Sequence, residues 1–184
     1  KEQIMSDLEK KKIKAAMILN AVIGLIFLVG IVFMLLRFQF MGYEKQLSAT
    51  TIEAFRFYTV DSNTLAGIVC VIMAVMEWRV LKGKAEKIPV WLYSLKHIAT
   101  VGVVLTFLTV ALILAPFAEE GYFSLFKNTN LFFHFIIPVI CGVAFMFFEG
   151  TRKLKFWQTF LGMSTMLISS IMTAPASRGL SSFF

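Results

Sequence analysis

A short polar motif at residues 55–63 carries the side chains of this chain that are best suited to chemistry. It reads Phe-Arg-Phe-Tyr-Thr-Val-Asp-Ser-Asn. The uncharged run after it, residues 64–76, is shorter than the roughly 20 residues that cross a hydrocarbon core, so a spanning helix must include part of the motif. The polar side chains that then lie at or just inside one membrane boundary are Thr59, Asp61, Ser62 and Asn63. Polar groups at that depth are costly unless they are paired or used, which makes the motif a candidate functional site.

The chemistry that these residues suggest is nucleophilic catalysis. A threonine hydroxyl is a weak nucleophile until a base takes its proton, and histidine titrates near neutral pH. The chain has two histidines, His97 and His134, and the membrane topology decides which of them can reach Thr59.

The composition is that of an integral membrane protein. The chain is 58% hydrophobic and only 16% charged, whereas soluble domains carry about 25% charged residues. We predict one all-α membrane domain over residues 1–184, a polytopic bundle of transmembrane helices. Five apolar stretches predict its spans: residues 15–36, 58–78, 97–115, 131–148 and 156–173.

The lysines and arginines predict the orientation of these spans. Thirteen of the 18 positive residues fall before the first span or in the second and fourth connections, and the other five fall on the opposite side. Cytoplasmic segments carry the excess of Lys and Arg, so the N-terminus is predicted to be cytoplasmic. This placement also explains the net charge of +7 without a nucleic-acid partner.

The topology places His134 near Thr59. Spans two and four both begin on the outer side, so Thr59 and His134 lie at a similar depth, and they can meet if these spans are neighbours. His97 begins span three on the inner side, on the order of 25 Å away along the membrane normal. The two histidines therefore cannot share a metal or a haem, and we predict no metal and no cofactor. His97 and Glu77 are interpreted as residues at the membrane interface.

Further roles fall on the polar neighbours of Thr59. Arg56, Thr59 and Asn63 share one helix face by their spacing. Asn63, Ser62 or backbone amides could steady a developing oxyanion, and Asp61 or Arg56 could tune the electrostatics. The alternative is that Thr59, Ser62 and Asn63 only cap span two, while His134 is a buried hydrogen-bonding residue between helices. Cys70 and Cys141 are interpreted as small apolar filler.

The motif at residues 55–63, together with Phe-Phe-His-Phe-Ile-Ile-Pro-Val at residues 132–139, resembles the androgen-induced-gene family of membrane threonine hydrolases and its bacterial relatives. The resemblance implies a helical membrane protein that hydrolyses fatty acid esters of hydroxy fatty acids or similar lipids. It implies Thr59 as the nucleophile and His134 as the histidine. It also implies a sixth span and a bacterial plasma membrane, while the predicted topology puts the site toward the outer leaflet.

Two other functions stay open at this stage. An acyltransferase on the same scaffold would use a lipid alcohol in place of water. A non-enzymatic lipid-binding or transport protein would use the outer polar cluster as a binding site. The partners in every case are the bilayer and a lipid-like molecule, whose acyl chain would suit an aromatic wall formed by Phe132, Phe133 and Phe135. The sequence predicts no oligomeric state.

Overall fold

Four membrane-length helices form the fold. A computed structural model describes residues 6–42, 54–55, 57–149, 160 and 164, and within these residues the chain is helical with no β-strand. Four helices are long and apolar enough to cross a membrane: α1 (Asp7–Leu35), α2 (Tyr58–Leu81), α3 (Val90–Phe117) and α4 (Asn128–Glu149). The prediction of an all-α, multi-pass membrane protein is confirmed to this extent.

Two helices begin seven or eight residues earlier than predicted. α1 begins at Asp7 because Ser6 and Glu9 form a capping box, in which each backbone amide donates to the other's side chain. α3 begins at Val90, directly after Pro89, which has no N–H group that would need a partner. The interpretation of residues 79–96 as a connector is therefore wrong for its second part, and Lys96 lies inside α3 rather than in a cytoplasmic loop.

Three sequence predictions are not addressed by these helices. The fifth span, residues 156–173, lies outside the described residues except for Phe160 and Ser164, which are helical. Arg56 also lies outside them. The cytoplasmic location of the N-terminus stays a prediction.

The four helices close into a ring. Consecutive helices are neighbours, and α4 returns to pack against α1 as well as α3. Their common interior is apolar and takes residues from every helix, among them Ile23, Cys70, Val103 and Ile137. The outer surface is apolar too, with exposed Leu25, Val75, Leu112 and Phe147. An apolar exterior around helices that satisfy their own backbone hydrogen bonds is what a bilayer requires.

Helices α3 and α4 depart from α-helical geometry. Residues Val110–Leu114 of α3 are π-helical, and so are Leu131–Ile136 and Phe145–Glu149 of α4. The first π segment of α4 precedes Pro138, whose ring nitrogen cannot donate to the His134 carbonyl four residues earlier. π-Helical turns are uncommon and frequently occur at functional sites. His134 lies within one of them.

Helices α1 and α2 approach each other closely at a glycine. A Cβ atom added to Gly67 would overlap with the ring of Phe27, whose side chain is buried. Small residues allow such close contact between membrane helices, where dispersion rather than the hydrophobic effect holds the helices together.

We expect Gly67→Ala to lower the free energy of unfolding by about 1–3 kcal/mol, because the new methyl group must displace the Phe27 ring. Thermal unfolding in detergent would measure the change. The matched control is Gly142→Ala on α4, where the nearest atom to an added Cβ is Val104 Cγ2 at 3.6 Å, an ordinary contact. Equal unfolding midpoints for the two variants would contradict the close approach at Gly67.

Candidate functional site

The first turn of α2 carries the predicted nucleophile. α2 begins at Tyr58, and Thr59 is half-buried there. Asp61 is exposed, so it lies away from the bundle interior. The N-cap position is Phe57, whose side chain forms no capping hydrogen bond. The alternative that Thr59, Ser62 and Asn63 cap span two stays a prediction for Thr59, whereas the Ser62 and Asn63 side chains bond to the Thr59 carbonyl instead.

Ser62 and Asn63 connect α2 to different neighbours. The Ser62 hydroxyl lies 3.1 Å from the Thr59 carbonyl and 3.2 Å from Thr106 Oγ1 on α3. Asn63 Nδ2 donates to the Thr59 carbonyl at 2.7 Å and to the Phe133 carbonyl of α4 at 3.0 Å. Both N–H groups of Asn63 are thus occupied within the bundle, while its buried Oδ1 accepts no hydrogen bond from the described residues. The orienting roles of Ser62, Asn63 and Asp61 stay predictions.

A hydrogen bond to the backbone defines which ring nitrogen of His134 carries the proton. Its Nδ1 lies 2.7 Å from the backbone carbonyl of Leu125. Since a carbonyl only accepts, Nδ1 must carry the proton and donate, which leaves Nε2 as the basic nitrogen. The ring also meets Phe126 edge-on, with 6.4 Å between centroids. The short 3-10 helix Tyr122–Phe126 and the loop after it therefore set the orientation of the imidazole.

The structure brings the helices of Thr59 and His134 together without a direct bond between the two residues. The bond from Asn63 to the Phe133 carbonyl joins α2, one turn beyond Thr59, to the residue before His134. No hydrogen bond between Thr59 and His134 occurs among the described contacts. The prediction that the two helices meet at this depth agrees with the geometry, and the catalytic roles of the two residues stay predictions.

An apolar groove lies against Phe126, whose ring packs edge-on against His134, although His134 itself is not part of the groove lining. The groove has a volume of about 500 Å³, and its wall includes Phe107 and Ala111 of α3, Phe126, and Phe135 of α4. Lys127 is the charged residue of its lining. Of the three phenylalanines predicted to form an aromatic wall, Phe135 lines the groove. Phe132 instead contacts the rings of Phe33 and Phe40, and Phe133 is buried next to Gly30 of α1.

A second polar site, which the sequence interpretation missed, lies at the other end of the bundle. We call it the buried polar cluster, and its members are Asn20, Glu77, Lys96 and Glu149, one from each helix and each no more than 2% exposed. Asn20 Nδ2 donates to Glu77 Oε2 at 3.1 Å and to Glu149 Oε1 at 2.5 Å. Lys96 Nζ donates to Asn20 Oδ1 at 2.6 Å and to Cys70 Sγ at 2.9 Å.

The interpretation of Glu77 as an interfacial residue is thus wrong, because its carboxyl group faces the bundle interior. His97, the other residue interpreted in this way, is half-buried, with its ring 5.1 Å from that of Phe145. The sequence did hold one signal of the cluster. Asn20 interrupts an otherwise apolar span, and a buried amide in a membrane needs a polar partner from another helix.

No family model, curated protein or solved structure matches this chain. The resemblance to the threonine hydrolases therefore rests on the two sequence motifs, and family membership stays a prediction. Among the described residues, no group of three or more His, Cys, Asp or Glu side chains is arranged to hold a metal ion.

We expect Asn20→Leu to destabilise the protein by about 3 kcal/mol or more, since hydrogen bonds to charged groups contribute about 1.5–3 kcal/mol each and this side chain bonds to an ammonium group and to two carboxyl groups, at least one of them ionised. Thermal unfolding in detergent would measure the loss. The same substitution at half-buried Asn130, whose side chain has no hydrogen bond among the described contacts, should change stability little. A loss at Asn20 no larger than that at Asn130 would contradict the bridging role of Asn20.

Proposed function

We propose that this protein is an intramembrane hydrolase of lipid esters, with Thr59 as the nucleophile and His134 as the general base. The substrates are fatty acid esters of hydroxy fatty acids or chemically similar lipids. The observation that carries the proposal is the bond between His134 Nδ1 and the Leu125 carbonyl, because it leaves Nε2 able to accept a proton. Phe126, which packs against the imidazole ring, also lines an apolar groove. The location that goes with it is a bacterial plasma membrane, with the site toward the outer leaflet.

The orientation of His134 suits a general base. A base in nucleophilic catalysis is usually held by a third group that sets its tautomer and ring plane. Here the Leu125 carbonyl is that third group, since it accepts from His134 Nδ1 at 2.7 Å, and Phe126 packs against the ring. A backbone carbonyl positions the ring without adding a charge, which suits a site surrounded by lipid and apolar side chains.

The reaction would proceed in two steps. Thr59 Oγ1 attacks the ester carbonyl carbon while its proton passes to His134 Nε2, and that proton then goes to the departing alcohol oxygen. Water attacks the resulting acyl-threonine, its proton passes to Nε2, and the proton returns to Thr59 Oγ1 as the acid leaves. The hydrogen bond between Thr59 and His134 would form when substrate binds, as catalytic hydrogen bonds are often long or poorly aligned in ligand-free enzymes.

The groove supports an acyl-chain substrate. Its wall is aromatic and aliphatic, and its volume of about 500 Å³ falls within the range of small-molecule pockets. Phe126 contacts both His134 and Phe135, so the groove and the proposed base share a wall. A chain in the groove would therefore carry its ester group close to the imidazole.

Covalent labelling tests the proposed nucleophile and base. We expect a fluorophosphonate probe to label the purified wild-type protein, with labelling and ester hydrolysis reduced on the order of a thousandfold or more in Thr59→Ala and His134→Ala. Thr64→Ala is the matched control, because Thr64 lies on the same helix and its hydroxyl bonds to the Val60 carbonyl at 2.7 Å. Labelling that survives Thr59→Ala would assign the nucleophile elsewhere.

The same assay separates the competing functions. Hydrolysis products alone would support a hydrolase, whereas a new ester formed on adding a lipid alcohol would support an acyltransferase. Lipid binding that depends on Thr59, without labelling or turnover in the wild-type protein, would overturn the enzymatic proposal in favour of binding or transport.

We expect Ala111→Phe to lower hydrolysis of long-chain esters by about tenfold relative to short-chain esters, because the added ring fills part of the groove and hydrophobic pocket contacts discriminate by about 1–3 kcal/mol. Leu112→Phe is the control, since Leu112 is 69% exposed on the neighbouring face and is not part of the groove lining. Ratios of kcat/KM for a series of ester chain lengths would measure the effect. An unchanged ratio in Ala111→Phe would mean that the acyl chain binds elsewhere.

A further inference from the structure

The buried polar cluster is separate from the proposed hydrolytic site. Thr59 and Glu77 lie at opposite ends of α2, about 27 Å apart at 1.5 Å per residue. All four members of the cluster are inside the bundle, and the proposed ester chemistry uses none of them. Ionisable groups inside a membrane protein are costly and commonly mark ion or proton sites.

The charges of the cluster do not balance. Glu77 and Glu149 bring two carboxyl groups, and Lys96 brings one ammonium group. If all three were ionised, the cluster would carry one net negative charge in a region that excludes water. Because an uncompensated charge is strongly disfavoured there, a carboxyl group takes up a proton instead. One proton makes the cluster neutral.

The contacts indicate which carboxyl group holds that proton. Lys96 Nζ lies 4.0 Å from Glu149 Oε1, and this is the salt bridge of the cluster among the described residues. Among the described contacts, Glu77 bonds to the cluster through the neutral Asn20 amide. The ionised carboxylate is therefore Glu149, beside the ammonium group, and the protonated carboxyl group is Glu77.

One oxygen of the cluster has no partner. Glu149 is only 2% exposed, and its buried Oε2 atom accepts no hydrogen bond from the described residues. A buried acceptor without a donor costs about 1–3 kcal/mol, and more for a charged group. This oxygen is an acceptor that the described residues leave open for a proton, and the shared Asn20 nitrogen brings the Glu77 and Glu149 carboxyl groups near each other.

The other titratable groups near the cluster do not alter this balance. Lys96 donates to the Cys70 thiol, and Cys70 in turn contacts Cys141 of α4. A thiol accepts from an ammonium group without becoming charged. His97, the next residue on α3, lies against the Phe145 ring. A metal ion would need several oxygen ligands around one point, and the described residues offer no such group.

We propose that the buried polar cluster is a proton-binding site, in which Glu77 and Glu149 share one exchangeable proton opposite the Lys96 ammonium group. Asn20 holds the two carboxyl groups in reach of each other, since its Nδ2 donates to both of them. The ligand is a proton rather than a larger cation. The site draws one side chain from every helix, so a change in its protonation acts on all four helices at once. This inference does not depend on the proposed hydrolase activity.

Infrared spectroscopy of the full chain in lipid vesicles tests the proposal, because a protonated carboxyl group has a carbonyl band distinct from that of a carboxylate. We expect the wild-type protein to show this band, with a shift in D₂O that reports exchange. Glu77→Gln should remove it, since the neutral amide replaces the protonated acid. Glu149→Gln should remove it as well, because Glu77 would then ionise to balance Lys96.

Lys96→Met and Glu120→Gln complete the set. Removing the ammonium group leaves two carboxyl groups without a cation, so the band should grow about twofold in Lys96→Met. Exposed Glu120 belongs to no such cluster, and its variant should keep the wild-type band. A band of the same size in the wild-type, Glu77→Gln and Glu149→Gln proteins would overturn the proposal, and so would a wild-type protein without the band. If Lys96→Met does not fold, the two glutamine variants decide the outcome alone.

Discussion

The need to satisfy polar side chains inside hydrocarbon organises this bundle. Asn20 alone among the residues of the buried polar cluster bonds to all the others, donating to Glu77 and Glu149 and accepting from Lys96. Because these residues come from four different helices, their hydrogen bonds form only when all four helices are correctly placed. Apolar contacts between membrane helices distinguish poorly between alternative arrangements, since lipid is as apolar as leucine. The buried polar cluster therefore specifies the arrangement that the apolar core fills.

The opposite end of the bundle depends on irregular helix geometry. Pro138 removes a donor from α4, and the turn before it, which carries His134, is π-helical. The Phe133 carbonyl in that turn accepts from Asn63, so the change in helix geometry is also a contact between α2 and α4. In a regular helix, the backbone carbonyl groups of this turn would bond along the axis of α4 itself. Here the Phe133 carbonyl also bonds to α2, and His134 in the same turn carries the imidazole of the proposed site. The fold and the proposed site thus share the same feature of α4.

The two ends of the bundle differ in what they can do. Near His134 the surroundings are aromatic, and Phe126 separates the imidazole from an apolar groove, an arrangement that suits chemistry on a bound molecule. In the buried polar cluster the side chains are closely bonded to one another, which suits the proton proposed to bind there. Helix α2 joins the ends, since it carries both Thr59 and Glu77. The close contact between Gly67 of α2 and Phe27 of α1 lies between Thr59 and Glu77 along α2, and it holds α2 against α1.

The sequence by itself determined the class of protein and the approximate place of four spans, because length and hydropathy are local properties that a bilayer selects directly. It also directed attention to Thr59, Asn63 and His134, since polar residues at a membrane boundary stand out in an apolar chain. It did not reveal the buried polar cluster. Glu77, Lys96 and Glu149 each lie near a span end, where a charged residue is ordinarily an interfacial anchor, and nothing local distinguishes an anchor from a buried ion. Only tertiary structure decided that distinction, because it depends on which helices are neighbours and which way each helix is turned about its axis. The π-helical turn at His134, and the carbonyl that orients the ring, likewise arise from contacts between segments that the sequence keeps apart.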